Sequence, residues 1–120
     1  MTKEPLQSSV IVNHDEGVTS LLLNQKNRLN ALSADMVEAL ILGLEEAVSI
    51  RAHLVIFRGE GNSFSAGLDL SNIDKQSDAD LLHRFVRIEQ LLQIIYKLPI
   101  STLALVHGKC FGAAADIVSV

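Results

Sequence analysis

Apolar residues recur along this chain with two different periods, and the switches between them divide it into elements. Ser9 to Asn13 and Val18 to Asn24 are short β-branched or Leu-rich runs separated by His14-Asp15-Glu16-Gly17. That pattern predicts a hairpin with a four-residue turn. Gln25 to Leu32 is a polar connection. Ser33 then stands as an N-cap with Asp35 in the first turn, and Val37, Leu40, Ile41, Leu44 and Val48 fall on one helical face. An amphipathic helix over residues 34 to 50 is expected.

Leu54 to Phe57 is a continuous apolar run of strand length that ends in the turn chemistry of Arg58-Gly59-Glu60-Gly61-Asn62. From Leu81 to Tyr96, apolar residues step by three and four, which predicts a second helix over about Asp78 to Lys97 that Pro99 stops. Ser101 to Val106 reads as a second buried strand, broken by His107-Gly108-Lys109-Cys110-Phe111-Gly112. Ala113-Ala114-Ala115 then opens a helix that is still apolar at Val120. Strands alternating with helices imply the α/β class. Leu54-Val55-Ile56-Phe57-Arg58-Gly59 matches Leu103-Ala104-Leu105-Val106-His107-Gly108 in residue type, as two turns of one repeating strand-loop-helix unit would.

Composition narrows the function classes. The chain has 120 residues, enough for one core, and 48% of them are hydrophobic, which excludes a disordered segment. A net charge of -4 with 4% aromatic residues and no Trp provides neither a cationic surface nor stacking platforms for nucleic acid. Cys110 is the only cysteine and permits no intrachain disulfide. The start MTKEPLQSS has no apolar targeting core, and no apolar run reaches membrane-spanning length. A cytoplasmic protein without a membrane partner is expected. The four histidines lack metal-ligand spacing, so no metal is implied.

The candidate chemistry lies in two glycine-bearing loops, Ser63 to Asp69 and Gly108 to Asp116. Neither matches GxGxxG, GK[ST] or GxSxG. What they offer is backbone: the N–H groups of Gly67 and Leu68, and those of the helix start after Gly112. The first N–H groups of a helix lack intrahelical partners and favour anions. Two donors converging on one carbonyl oxygen stabilise it as it becomes an oxyanion, by roughly 3–4 kcal/mol per donor. Asp116 follows Ala113 by three residues, on nearly the same helix face, where its carboxylate could move protons beside a polarised carbonyl.

Phe64-Ser65-Ala66-Gly67-Leu68-Asp69-Leu70 after Arg58-Gly59 and Gly61, Leu98-Pro99-Ile100 leading to His107-Gly108, and Gly112-Ala113-Ala114-Ala115-Asp116 resemble the crotonase (enoyl-CoA hydratase/isomerase) superfamily. Asn30-Ala31-Leu32 fits the same pattern, and the resemblance runs from about Val10 to Val120. It implies the amino-terminal half of a single core domain, a spiral of repeated ββα units. It implies an acyl-CoA thioester substrate of fatty acid metabolism, with CoA as part of the substrate and no separate cofactor. By position, the enolate would be held by the N–H groups of Leu68 and Ala113, with Asp116 as an acid/base. Asn27, Arg28, Ala31, Ser65, Ala66, Gly67, Asp69, Leu70 and Gly112 would line the substrate and CoA channel. A homotrimer or dimer of trimers is the implied assembly.

Three departures from that pattern matter. Members of the superfamily are roughly twice as long, so a second acid/base residue has no counterpart in these 120 residues, and the fragment alone is expected to be inactive. Asp116 stands where most hydratases carry Glu and resembles the dienoyl-CoA isomerase-like members. Ala113 places a Cβ beside the oxyanion position. A hydratase/isomerase is therefore expected of the complete protein. The alternatives from other classes are a noncatalytic crotonase-like protein for acyl-CoA binding or assembly, and a truncated product that packs on partner subunits.

Overall fold

The structure, a computed structural model, describes residues 8–70 and 73–120; residues 1–7 and 71–72 lie outside the described residues. Strands β1 (Val10–Asp15) and β2 (Val18–Leu23) pair antiparallel, with Asp15 opposite Val18. The turn between them is two residues, Glu16 and Gly17, both at positive φ, and not the four expected. The tighter turn continues the right-handed strand twist, so pairing extends through His14 and Asp15 despite their polarity. After a short 3-10 turn at Lys26–Arg28 come α1 (Ala34–Ser49), β3 (Leu54–Gly59), a 3-10 turn at Ile73–Lys75, α2 (Asp78–Lys97), β4 (Ser101–Ala104) and α3 (Ala113–Ser119).

The four strands lie in the order β1-β2-β3-β4, with β2, β3 and β4 parallel. Thr19, Leu21 and Leu23 on β2 and Val55 and Phe57 on β3 alternate into the core, where Met36, Val37, Leu40, Ile41 and Leu44 of α1 meet them. Each of the apolar side chains among them contributes roughly 1.5–3 kcal/mol by leaving water. Ser33 caps α1 as expected, its hydroxyl accepting from the Met36 N–H at 3.1 Å. Val48, expected on the buried face, is 43% exposed, and Ala47 takes its place in the core.

α2 has the expected bounds, and Ser77 and Asp80 form a capping box at its start. Of the expected stripe Leu81, Leu82, Phe85, Ile88, Leu92, Ile95 and Tyr96, only Ile95 is buried, with Ile88 and Leu92 packed partly against the core and Leu82, Phe85 and Tyr96 exposed; Leu91, outside the stripe, is fully buried. β4 departs most from expectation. It stops at Ala104 and is largely exposed, because it is the last strand of the sheet among the described residues, bonded to β3 on one side only. An apolar run signals burial only if something covers both faces, and nothing in the local sequence says whether it does.

The register pairs Phe57 with Ala104, and not with the repeat-matched Val106. The two-residue offset preserves side-chain parity, so the repeated pattern still faces the same way in both strands. Beyond the main strands, Leu32 bridges Leu68 and Ser65 bridges Cys110, each in parallel. Each of the parallel strands β2, β3 and β4 is thus followed by one or two bridged residues before its helix, three times in succession.

Candidate active site

Because β2, β3 and β4 run parallel, the segments leaving them emerge at one edge of the sheet, where open α/β sheets hold their ligands. Backbone hydrogen bonds tie the three segments together. Ala66 donates to the Leu29 carbonyl at 2.9 Å, Leu32 to Gly67 at 2.6 Å, and Asp69 to Leu32 at 3.1 Å. On the other side, Phe64 donates to His107 at 2.7 Å, Ser65 to Lys109 at 3.0 Å, and Phe111 to Ser65 at 3.3 Å. The Ser63-to-Asp69 loop is therefore the middle layer of three, which is why it is buried although it is irregular.

This pairing sets which N–H groups face outward. Leu32 bonds the Gly67 carbonyl and the Asp69 amide, so the Leu68 N–H between them turns away from the first loop. Among the described residues, neither the Leu68 N–H nor the Ala113 N–H has an acceptor. Gly67, by contrast, is no donor to a ligand: its N–H is taken by the Ser65 hydroxyl at 3.1 Å. Of the two N–H groups expected in this loop, only that of Leu68 remains available, because a short side chain two residues back satisfies the other.

Two glycines bring the loops into contact. Gly67 has φ +93, and a Cβ there would lie 2.6 Å from the Phe111 carbonyl oxygen and 3.8 Å from the Ala113 nitrogen. The Gly67-Leu68 backbone and the start of α3 therefore adjoin without an intervening side chain. Gly112, the N-cap of α3, has φ 54 and ψ -123, a conformation reserved essentially for glycine. No side chain caps the helix there, and while the Ala114 N–H is taken by the Phe111 carbonyl at 3.0 Å, the Ala113 N–H before it stays open among the described residues. Asp116 lies in the first turn of the helix, with its side chain exposed and its own N–H bonded to Gly112 at 3.1 Å.

The remaining expected residues divide into two groups. Ser65, Gly67 and Asp69 are buried within the stitched loops, with Ala31, Ala66 and Leu68 half-buried beside them. Asn27, Arg28, Leu70 and Gly112 are exposed, and Ala113 is half-buried at the helix start. Arg28 lies 3.8 Å from the Asp69 carboxylate, and both line a groove of about 220 Å³ with Arg84 and Gln76. A larger groove of about 620 Å³ runs between α1 and α2 and is lined by Leu32, Val37, Val86 and Ile88 with the Glu38–Arg87 pair. Neither groove is lined by Leu68, Ala113 or Asp116. The hydrogen bonds from Arg87 hold the Glu38 carboxyl below its usual range, and burial pushes the Cys110 thiol above its own.

Two residues that support the site carried too weak a signal to be singled out as functional. Asn30 is fully buried with φ 53; its Oδ1 accepts from the Gln25 N–H at 2.7 Å, and its Nδ2 donates to the Glu60 and Ser63 carbonyls, both at 2.9 Å. The preference of Asn for left-handed backbone was the available clue. Leu29 beside it also has φ 54, a conformation that costs a branched side chain energy and is held by the surrounding bonds. Arg84, from α2, donates to the Asp69 carbonyl at 2.7 Å and to that of Leu32 at 3.3 Å. Replacing Arg84 by Ala is expected to lower the unfolding free energy by about 1.5–3 kcal/mol, measured by urea denaturation, because two carbonyls lose a charged donor. A change under about 0.5 kcal/mol would show that water replaces it without loss.

The profile of the Enoyl-CoA hydratase/isomerase family matches residues 13–120. The mitochondrial Enoyl-CoA hydratase domain-containing protein 3 of Danio rerio is 30% identical over 114 residues, 93% of this chain and 39% of that protein. The mitochondrial Delta(3,5)-Delta(2,4)-dienoyl-CoA isomerase of Dictyostelium discoideum is 29% identical over 85% of this chain and 39% of its own length. A crystal structure assigned to enoyl-CoA hydratase/isomerase from Bordetella parapertussis superposes with a TM-score of 0.90 at 41% identity, covering 92% of this chain and 46% of that one. The chain thus spans less than half the length of each of these relatives.

Proposed function

Because the chain belongs to the enoyl-CoA hydratase/isomerase family, we propose that the complete protein acts on an enoyl-CoA thioester through a stabilised enolate. The fold is the crotonase-like α/β fold of those relatives. The observation that carries the reading is the adjoining pair of backbone N–H groups at Leu68 and Ala113, both without an acceptor among the described residues. In the proposed complex they hold the thioester oxygen. As a base removes the proton at the α carbon, the electron pair moves onto that oxygen, and two preorganised donors stabilise the charge more than they stabilised the neutral carbonyl.

Asp116 is the proposed proton carrier, one helical turn from the Ala113 donor. In isomerisation the α proton leaves as the double bond shifts toward the thioester, and a proton returns to the far end of the conjugated system. No water is added. A hydratase must also position a water, and Asp extends one methylene less than Glu. A displacement of about 1 Å can cost on the order of a hundredfold. Isomerisation is therefore preferred over hydration, in keeping with the similarity to a protein named as a dienoyl-CoA isomerase. Arg28, on the rim of the smaller groove, is a proposed contact for the CoA phosphates.

The test is a comparison of rates for the complete protein with 2-enoyl-CoA, 3-enoyl-CoA and 3,5-dienoyl-CoA. One of the two isomerisations is expected to exceed hydration. Hydration faster than both would overturn the isomerase preference, and turnover of none would overturn the enzyme reading.

A further inference from the structure

The Leu68 N–H is a backbone group, so its direction depends on what holds the peptide planes around it. On one side the loop is held by Leu32, as described. On the other, the preceding amide is held by a side chain: the Ser65 hydroxyl accepts the Gly67 N–H at 3.1 Å and donates its own proton to the Asn30 carbonyl at 2.7 Å. Ser65 is fully buried, so water does not compete for either bond. Asn30 is itself fixed by three side-chain hydrogen bonds, to Gln25, Glu60 and Ser63. The result is a chain of bonds from the left-handed turn at Leu29 and Asn30, through one hydroxyl, to the amide next to the donor.

Gly67 needs such a restraint. At φ +93 it is in a region where glycine moves freely, and it has no side chain to pack. Rotation about its backbone would turn the Gly67-Leu68 peptide plane and swing the Leu68 N–H with it. The Ser65 hydroxyl blocks that rotation by holding the Gly67 amide, and the Leu32 N–H holds the Gly67 carbonyl at 2.6 Å.

Resting on the enolate reading above, we infer that Ser65 is a positioning residue whose buried hydroxyl aims the Leu68 N–H at the thioester oxygen. Its hydroxyl, buried and bonded to backbone on both sides, acts through that backbone and not by the contact with substrate that the family resemblance implied. It sets how strongly the carbonyl is polarised and not how tightly CoA binds.

The inference separates from a merely structural role through the carbonyl itself. The probe is butyryl-CoA carrying carbon-13 at the thioester carbonyl, a saturated analogue that cannot be hydrated, bound to the complete protein and followed by isotope-edited infrared spectroscopy. Binding to wild type is expected to lower the carbonyl stretch. In Ser65→Ala the lowering is expected to shrink by more than half, with kcat down about 10- to 100-fold and KM within about threefold. Ser65→Cys keeps a weaker donor and acceptor of similar size, and should lie between the two; it also supplies the comparison if the Ala variant does not fold. A Ser65→Ala stretch equal to wild type overturns the inference, whether or not kcat falls, and leaves the donor pair standing. No lowering in wild type overturns the donor pair, and the role of Ser65 with it.

Discussion

Replacing Asp116 by Asn in the complete protein is expected to lower turnover by about 10²–10⁴-fold, the usual contribution of a positioned acid/base, while acyl-CoA affinity changes less than about threefold. The structure lets this result be read cleanly. Asp116 is exposed, and its carboxylate makes no hydrogen bond among the described residues, so the amide removes charge without orphaning a partner. Its place in the first turn of α3 gives it a favourable interaction with the helix dipole of about 0.3–1 kcal/mol. A stability loss of that size cannot imitate a hundredfold loss of rate. Steady-state kinetics beside equilibrium binding of a saturated acyl-CoA would check it. An Asn variant as fast as wild type would move the proton transfer to another group.

Gly67→Ala is expected to damage stability and catalysis together. The new Cβ would stand 2.6 Å from the Phe111 carbonyl oxygen, in a backbone conformation at φ +93. The conformational cost is about 1–2 kcal/mol, and the crowding about 1–3 more. Relief requires the loop before α3 to retreat, which carries the Ala113 N–H away from that of Leu68. A shift approaching 1 Å would cost on the order of a hundredfold in rate. Gly112→Ala is the internal control: a Cβ there meets nothing within 4 Å, so only the backbone cost applies. Denaturant unfolding and kinetics on the two variants should therefore separate. Equal losses in both would mean that the contact between loops does not govern the site.

Much of this geometry could be read along the chain. Ser33 and Asp35 mark the start of α1, Asp78 to Lys97 carry a helical period, and the hairpin shows in two short runs around Gly17, all from signals within a few residues of one another. The loop N–H groups at Gly67 and Leu68 and the helix start after Gly112 stood out because glycine marks backbone that other residues avoid, while the choice of Leu68, Ala113 and Asp116 came from the resemblance to the superfamily. What escaped detection depended on partners far away. Ser65 and Gly67 look alike as loop residues, yet the hydroxyl of one consumes the N–H of the other, and the carbonyl that orients that hydroxyl comes from 35 residues earlier in the chain. Arg84 is one charge on an amphipathic helix until α2 packs beside the loops and its guanidinium meets two carbonyls.

The amino-acid sequence by itself determined the order of elements, the α/β class, and the two points where glycine forces an irregular turn. These follow from period, capping and steric freedom, which act over one or two turns of chain. Tertiary structure alone decided that β4 is largely exposed and pairs with β3 on one side only among the described residues, that only one of two adjacent loop N–H groups stays open, and that Gly67 presses against the start of α3. Those outcomes rest on hydrogen bonds and contacts between loops brought together by a parallel sheet, and the residues that make them are not neighbours until the sheet has formed.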